Sequence, residues 1–167
     1  TTIGTAYATN CDEYHIPVTV SDFHNIGVIN LILNYSATVF TFQGITFNPS
    51  LPLTSASCNG TIGGMVIIGW FGATEIALDD NAVLFTLHMK LKPGVSSITT
   101  PLTWSTSPGD CEYASLGGAM VYSGSFLNGS VTIYAPIAAS CSSTGVSCYN
   151  GTNGTATVVP AGGTGVY

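Results

Sequence analysis

Charge is what this chain of 167 residues has least of: charged side chains make up 6%, against roughly a quarter in an ordinary soluble domain. Arginine is absent, and the only cations are Lys90 and Lys92, set against eight acids for a net charge of −6. A surface that cannot neutralise phosphates makes nucleic acid and anionic membranes poor partners. No apolar run approaches the roughly 20 residues of a membrane span, and no basic stretch leads into an apolar one as in a signal peptide. A mature product and a piece of a longer chain both fit that pattern. No Cys-x-x-Cys pair occurs, which leaves zinc and redox-motif readings unsupported. Sustained helical periodicity is missing as well.

What the chain does have is 46% apolar residues, with solubility resting on Thr, Ser, Asn and Gly. Its five cysteines are Cys11, Cys58, Cys111, Cys141 and Cys148. In a composition of this kind the default is disulfides formed in an oxidising compartment. Cys141 and Cys148 are close enough in a loop-rich stretch to pair locally, and Cys11 with Cys111 is the first choice among the rest because both fall in connecting loops. Asn-x-Ser/Thr sequons stand at Asn34, Asn59, Asn128, Asn150 and Asn153, candidates for glycosylation where the host has the machinery.

Turn signals recur every eight to twelve residues, the rhythm of an all-β sandwich. Strands are expected over 2–8, around Ile16, Val18 and Val20, over 28–35, over 39–47 and, briefly, over 55–58. Asp22 to Gly27 reads as a loop, and Asn59-Gly60 as the hairpin turn leading into the central segment. That segment holds two core strands, Met65 to Phe71 and Ala82 to Leu91, with Asp79-Asp80-Asn81 as a tight turn. In the second strand Val83, Phe85, Leu87 and Met89 alternate with Thr86, His88 and Lys90, the period of a half-buried strand. The first is apolar on both faces and should be covered on both. Residues 97–106, with Leu102 and Trp104 on one face, and 125–134, with Val131 and Ile133 inward, complete about nine strands; Cys111-Glu112-Tyr113 falls in the loop between. From Ala138 to Tyr167 there is no charged residue, which sets the domain boundary near 135.

Taken in order, Thr2-Ile-Gly-Thr5, Ile16-Pro-Val-Thr-Val20, Phe23-His-Asn-Ile-Gly27, Asn30-Leu-Ile-Leu-Asn-Tyr35, Ile68-Gly-Trp-Phe71, Val83-Leu-Phe-Thr-Leu87 and Asn128-Gly-Ser-Val-Thr132 resemble successive strands of the cohesin-like domains. The resemblance implies a jelly-roll or immunoglobulin-like antiparallel β-sandwich over residues 1–135. Cys141-Ser-Ser-Thr-Gly-Val-Ser-Cys148, with the Thr/Gly-rich residues after it, is similar to the opening of a repeat found in gliding-motility (SprB-type) adhesins, cut short at Tyr167, so that 136–167 forms a short β-rich C-terminal extension. Together they imply a non-enzymatic structural or adhesive module of a secreted or cell-surface bacterial protein. Cohesins proper bind calcium-loaded dockerins through one sheet face, so the alternative is a dockerin-binding or carbohydrate-binding module of a larger extracellular enzyme system.

Each candidate site competes with a plainer role. His15, His88 and His24 fall at a strand start, a solvent-facing strand position and a loop, with nothing in the spacing to bring them together. Asp79 and Asp80, with Asn81, offer clustered oxygen donors for calcium but lack the glycine and distal glutamate of an EF-hand loop, so a turn is the better reading and no cofactor is expected. Asp110 and Glu112 flank a cysteine in a loop rather than a catalytic cleft. Trp70, Phe71 and Trp104 offer a sugar-stacking platform, yet at alternate strand positions such residues usually fill a core. The alternating stretch Thr155, Ala156, Thr157, Val158, Val159 has strand character and fits donation to the open sheet edge of a neighbouring subunit, and equally a truncated linker or half-repeat that folds back on its own domain or stays mobile. Other protein subunits, in a homo-oligomer or filament, are therefore the expected partners.

Overall fold

The computed structural model describes residues 1–4, 6–8, 12–122 and 125–163. It divides into two compact units, Thr1–Val95 with Thr99–Val131, and Ser96–Ile98 with Thr132–Tyr167. Antiparallel strands supply nearly all the regular structure: β1 (Thr2–Ile3), β2 (Tyr7–Ala8), β3 (Glu13–Thr19), β4 (Phe23–Asn34), β5 (Phe40–Phe47), β6 (Cys58–Ile62), β7 (Met65–Leu78), β8 (Val83–Leu91), β9 (Ile98–Trp104), β10 (Glu112–Ala114), β11 (Met120–Tyr122), β12 (Gly129–Ile133), β13 (Ala138–Thr144) and β14 (Thr155–Ala161). A five-stranded sheet runs β1-β3-β8-β5 with β2 beside β3. A seven-stranded sheet runs β11-β10-β4-β7-β6, with β9 joined to both β4 and β12. The fold is the all-β sandwich expected from the turn rhythm and the alternating strands.

Alternation explains the core. On β8, Phe85, Leu87 and Met89 are buried, and so are Ile16 and Val18 of β3 and Phe40 and Phe47 of β5. The larger sheet contributes Ile29, Leu31 and Leu33 from β4, Val66 and Ile68 from β7, Leu102 and Trp104 from β9 and Tyr113 from β10. Val83, expected in the same row as Phe85, is exposed and Leu84 is buried instead. The ladder slips there: Val18 faces Phe85 and Thr19 faces Val83, a bulge that flips side chains to the other face.

Several boundaries differ from the sequence expectation for local reasons. Asp22 to Gly27 is not a loop. β4 begins at Phe23, and the left-handed Asn25 (φ +57°) lies in a stretch where the pairing with β7 shifts register twice. The polar residues thus form bulges inside a strand rather than a break. Asn59 and Gly60 lie in β6, and the turn into β7 is made by Gly63 and Gly64 (φ +61° and +92°). A Cβ at Gly64 would stand 2.7 Å from the Tyr35 carbonyl, so that close approach requires glycine. Ser55–Ser57 is a 3-10 turn, not a strand. Cys111-Glu112-Tyr113 is not all loop either: β10 begins at Glu112 and pairs with β11 (Met120–Tyr122), and these two raise the strand number above nine.

In the second unit β13 and β14 make one seven-pair hairpin, from Ala138 opposite Ala161 to Thr144 opposite Thr155. Every residue of both strands is exposed. The strand proposed for donation, Thr155 to Val159, is therefore already paired along one edge, with 140–144 of its own chain.

Candidate interaction face

Strands β4 and β7 pair over most of their length, Val28 opposite Phe71, Asn30 opposite Gly69, Ile32 opposite Ile67 and Asn34 opposite Met65. Their intervening residues, Ile29, Leu31, Leu33, Val66 and Ile68, are buried. Since successive side chains point to opposite faces, the first set makes up the outer surface of the larger sheet. The expectation that β7 is covered on both sides is therefore corrected. Phe71 is 73% exposed, while Met65, Ile67, Val28 and Ile32 are half-buried among their neighbours. β10 extends the surface with Ala114 opposite Val28 and Glu112 opposite Asn30, and β11 with the exposed Met120. At the other edge Ile62, opposite Met65, is exposed too.

This face is apolar and nearly uncharged: within the strand positions named above, Glu112 is the one ionisable group. Its polar groups are held in place. Asn30 donates from Nδ2 to the Gly109 carbonyl at 2.5 Å, which leaves its side-chain oxygen for a partner. Beneath the face, Cys111 donates from Sγ to the Ile32 carbonyl at 3.4 Å, and burial pushes its thiol pKa up. Tyr113 is buried beside Phe23 and bonded at 2.8 Å to the Thr1 hydroxyl, and burial raises its phenol well above the usual value. An open apolar sheet face with fixed amides can bury a complementary surface, and it contains no nucleophile paired with a base.

Of the three aromatics weighed as a sugar platform, Trp104 is buried, with its indole Nε1 donating to the Leu127 carbonyl at 3.2 Å. Trp70 is half-buried and folds over Gly72, where a Cβ would stand 2.3 Å from its ring. The three do not form one platform, and Phe71 alone is displayed. Asn30 and Asn34, alternating with Leu31 and Leu33, were the sequence signal for the open face, because amides share their row with Val28 and Ile32.

The remaining candidates are dispersed. Cys58, Cys111, Cys141 and Cys148 are free thiols. The local closure expected between Cys141 and Cys148 is not made, because Cys141 is fixed opposite Val158 in the ladder and Cys148 lies in the loop beyond its end. Cys11 lies outside the described residues, so its pairing with Cys111 has no structural counterpart here. Asp79 and Asp80 form the turn, in which Ala82 donates to the Asp79 carbonyl at 3.0 Å; an Asp80 carboxylate oxygen accepts from the Asp22 amide at 2.7 Å. Among the described residues no three His, Cys, Asp or Glu side chains gather as a metal cluster. Asp110 accepts from the Ser105 hydroxyl at 2.5 Å.

Among the sequons, the Asn128 side chain accepts from the Trp104 amide at 2.9 Å, and that of Asn153 accepts from the Ser147 amide at 3.0 Å. Asn150 is left-handed (φ +60°) in the hairpin loop. Asn34 is half-buried on the outer face, and the Asn59 side chain lies outside the described residues. His24 is 4.0 Å from Asp22. His15 and His88, which nothing in their spacing linked, meet as direct cross-strand partners.

No family model matches the chain. Over 112 residues it is 32% identical to Cellulose-binding protein A of Clostridium cellulovorans, a stretch amounting to 64% of this chain and 6% of that protein. It thus spans only a small part of that relative's length. Among solved structures it is similar to a type I cohesin–dockerin complex from Clostridium thermocellum, with TM-score 0.63, 17% identity and coverage of 78% of this chain and 95% of that one. It is also similar to a non-cellulosomal cohesin from the archaeon Archaeoglobus fulgidus, with TM-score 0.60, 22% identity and coverage of 79% and 88%. The β-sandwich and these structural likenesses agree: the chain has the cohesin fold.

Proposed function

We propose that this chain is a non-enzymatic protein-binding module of an extracellular or cell-surface protein, and that it captures a dockerin-type partner on the outer face of β4, β7 and β10. The observation that carries the reading is the open apolar row, with Phe71 exposed and opposite Val28. Large exposed apolar side chains on an otherwise neutral face mark an interaction surface, and aromatics buried on association are the usual energetic anchors. The resemblance to a cohesin found in complex with a dockerin supports the class of partner. Residues 1–135 form the binding module and 136–167 its C-terminal extension.

The reading is tested by titrating the intact chain against a panel of recombinant dockerins, with calcium and with a chelator. Calcium-dependent binding that Phe71→Asp weakens at least tenfold, while the variant's melting temperature is unchanged, is the expected result. If no dockerin binds, or if Phe71→Asp binds as well as the parent chain, the assignment of this face is wrong.

A second reading, a structural or adhesive subunit, draws on the hairpin, whose exposed residues include Val158 and Val159. With Thr155 to Val159 engaged in an internal ladder, only the outer edge of β14 is left for a neighbouring subunit. Sedimentation of the intact chain distinguishes the two readings, since a subunit of a filament grows with concentration and a binding module does not.

A further inference from the structure

On the opposite side of the molecule's first unit, the outer face of the five-stranded sheet carries a different chemistry. His15 of β3 stands directly opposite His88 of β8, with ring centroids 4.5 Å apart and planes inclined at 72°. Both line a cavity of about 350 Å³ with Glu13, Gln43 and Gly44. The space exists because the pairing of β5 with β8 slips between Phe42 and Gly44, leaving Gly44 opposite His88. A glycine there contributes no side chain, and nothing lies within 4 Å of where its Cβ would be.

We propose that His15 and His88 form a binding site for a borderline divalent transition metal ion of the Ni²⁺, Cu²⁺ or Zn²⁺ class. Imidazole nitrogens suit these ions, and carboxylate or carbonyl sites suit calcium and magnesium. Two imidazoles on one such ion, each at a metal–nitrogen distance of about 2.0–2.1 Å, have ring centroids about 5 Å apart. The observed centroid separation of 4.5 Å is close to that spacing. His88 is already oriented, since its Nε2 lies 2.8 Å from the Thr46 hydroxyl. When Nε2–H donates there, Nδ1 keeps the lone pair that a metal requires, the outer hydrogen bond that ligating histidines ordinarily have. Glu13, two residues before His15, lines the same cavity. His24, in β4 of the other sheet beside Asp22, takes no part.

The test uses the intact chain with its thiols blocked by iodoacetamide, so that the exposed Cys141 and Cys148 do not compete for metal. NiCl₂ is titrated by calorimetry, with CuCl₂ followed in parallel by its visible absorption. The expected result is one ion per chain. His15→Ala and His88→Ala each weaken binding at least tenfold, the double variant is little worse than either single one, and His24→Ala is unchanged. Calcium and magnesium leave the titration unaffected. Circular dichroism and melting curves establish that the variants are folded; His15→Gln and His88→Gln replace any alanine variant that is not. The proposal is overturned if no heat or absorption change appears at millimolar metal, if His24→Ala abolishes binding, or if folded His15 and His88 variants bind as the parent does.

Discussion

The inner and outer rows of the larger sheet are built from nearly the same residues and have opposite fates. Ile29, Leu31, Leu33, Val66 and Ile68 are sealed against the five-stranded sheet, while Val28, Ile32, Ile67 and Phe71, one residue out of step on the same two strands, face outward. Hydrophobicity does not distinguish the rows; a second layer of structure does. The hairpin teaches the same lesson: β14 alternates Thr with Ala and Val over 155–158 as a half-buried strand does, yet every one of its residues is exposed. Apolar surface left open in this way is available for a partner, and on β4 and β7 it is concentrated in one row.

The contrast predicts a graded set of effects. The largest belongs to the inner layer. Phe85 is fully buried and stacked edge-on against Phe47 at 6.0 Å, so Phe85→Ala should cost about 3–5 kcal/mol in chemical denaturation. A loss below about 1 kcal/mol would show that the core collapses around the cavity and would break the contrast between the rows.

Next comes a polar tie under the sheet. Tyr113→Phe keeps the packing on Phe23 and removes the bond to the Thr1 hydroxyl. It should cost about 1 kcal/mol.

A smaller effect is expected from pH. The pKa of His88 is depressed in the folded chain, first by burial and then by His15, so the unfolded chain binds the proton more readily. Stability should therefore be full above the unfolded value of about 6.5 and decline as pH falls below it, levelling off once the folded pKa has been passed. Glu13 lines the same cavity, the Thr46 hydroxyl lies 2.8 Å from His88 Nε2, and Lys90, two residues after His88, is paired with Asp12 at 3.4 Å. His88→Gln should flatten this part of the denaturation-versus-pH curve, and an unchanged slope would place the proton elsewhere.

The smallest effect is the outer-row control. Phe71→Ser should change stability by no more than about 0.5 kcal/mol, as surface substitutions do. A loss comparable to that of Phe85→Ala would mean that Phe71 is covered within the chain and has no free surface to offer.

Much of this was readable from residue order. Period-two alternation located β3, β5, β8 and β9 and named Phe85, Leu87, Met89, Leu102 and Trp104 as core, because alternation is a local property that any covering sheet exploits in the same way. The recurrent turns and the ordered strand motifs pointed to a cohesin-like sandwich. Bulges escaped notice: polar residues at Asp22 and Asn25 break a strand and kink a strand with equal plausibility, and only pairing with β7 shows that β4 continues through them. The expectation that β7 is covered on both faces failed, since both of its rows are apolar and the number of layers is not a property of one strand. The meeting of His15 with His88, 73 positions apart in the numbering, depends on the register between β3 and β8. Residue order supplied the strands, their periodicity and the chemistry on each. Tertiary structure decided register and layering, because both arise from pairing between segments far apart in the chain, and through them it settled which apolar row became core and which remained open to a partner.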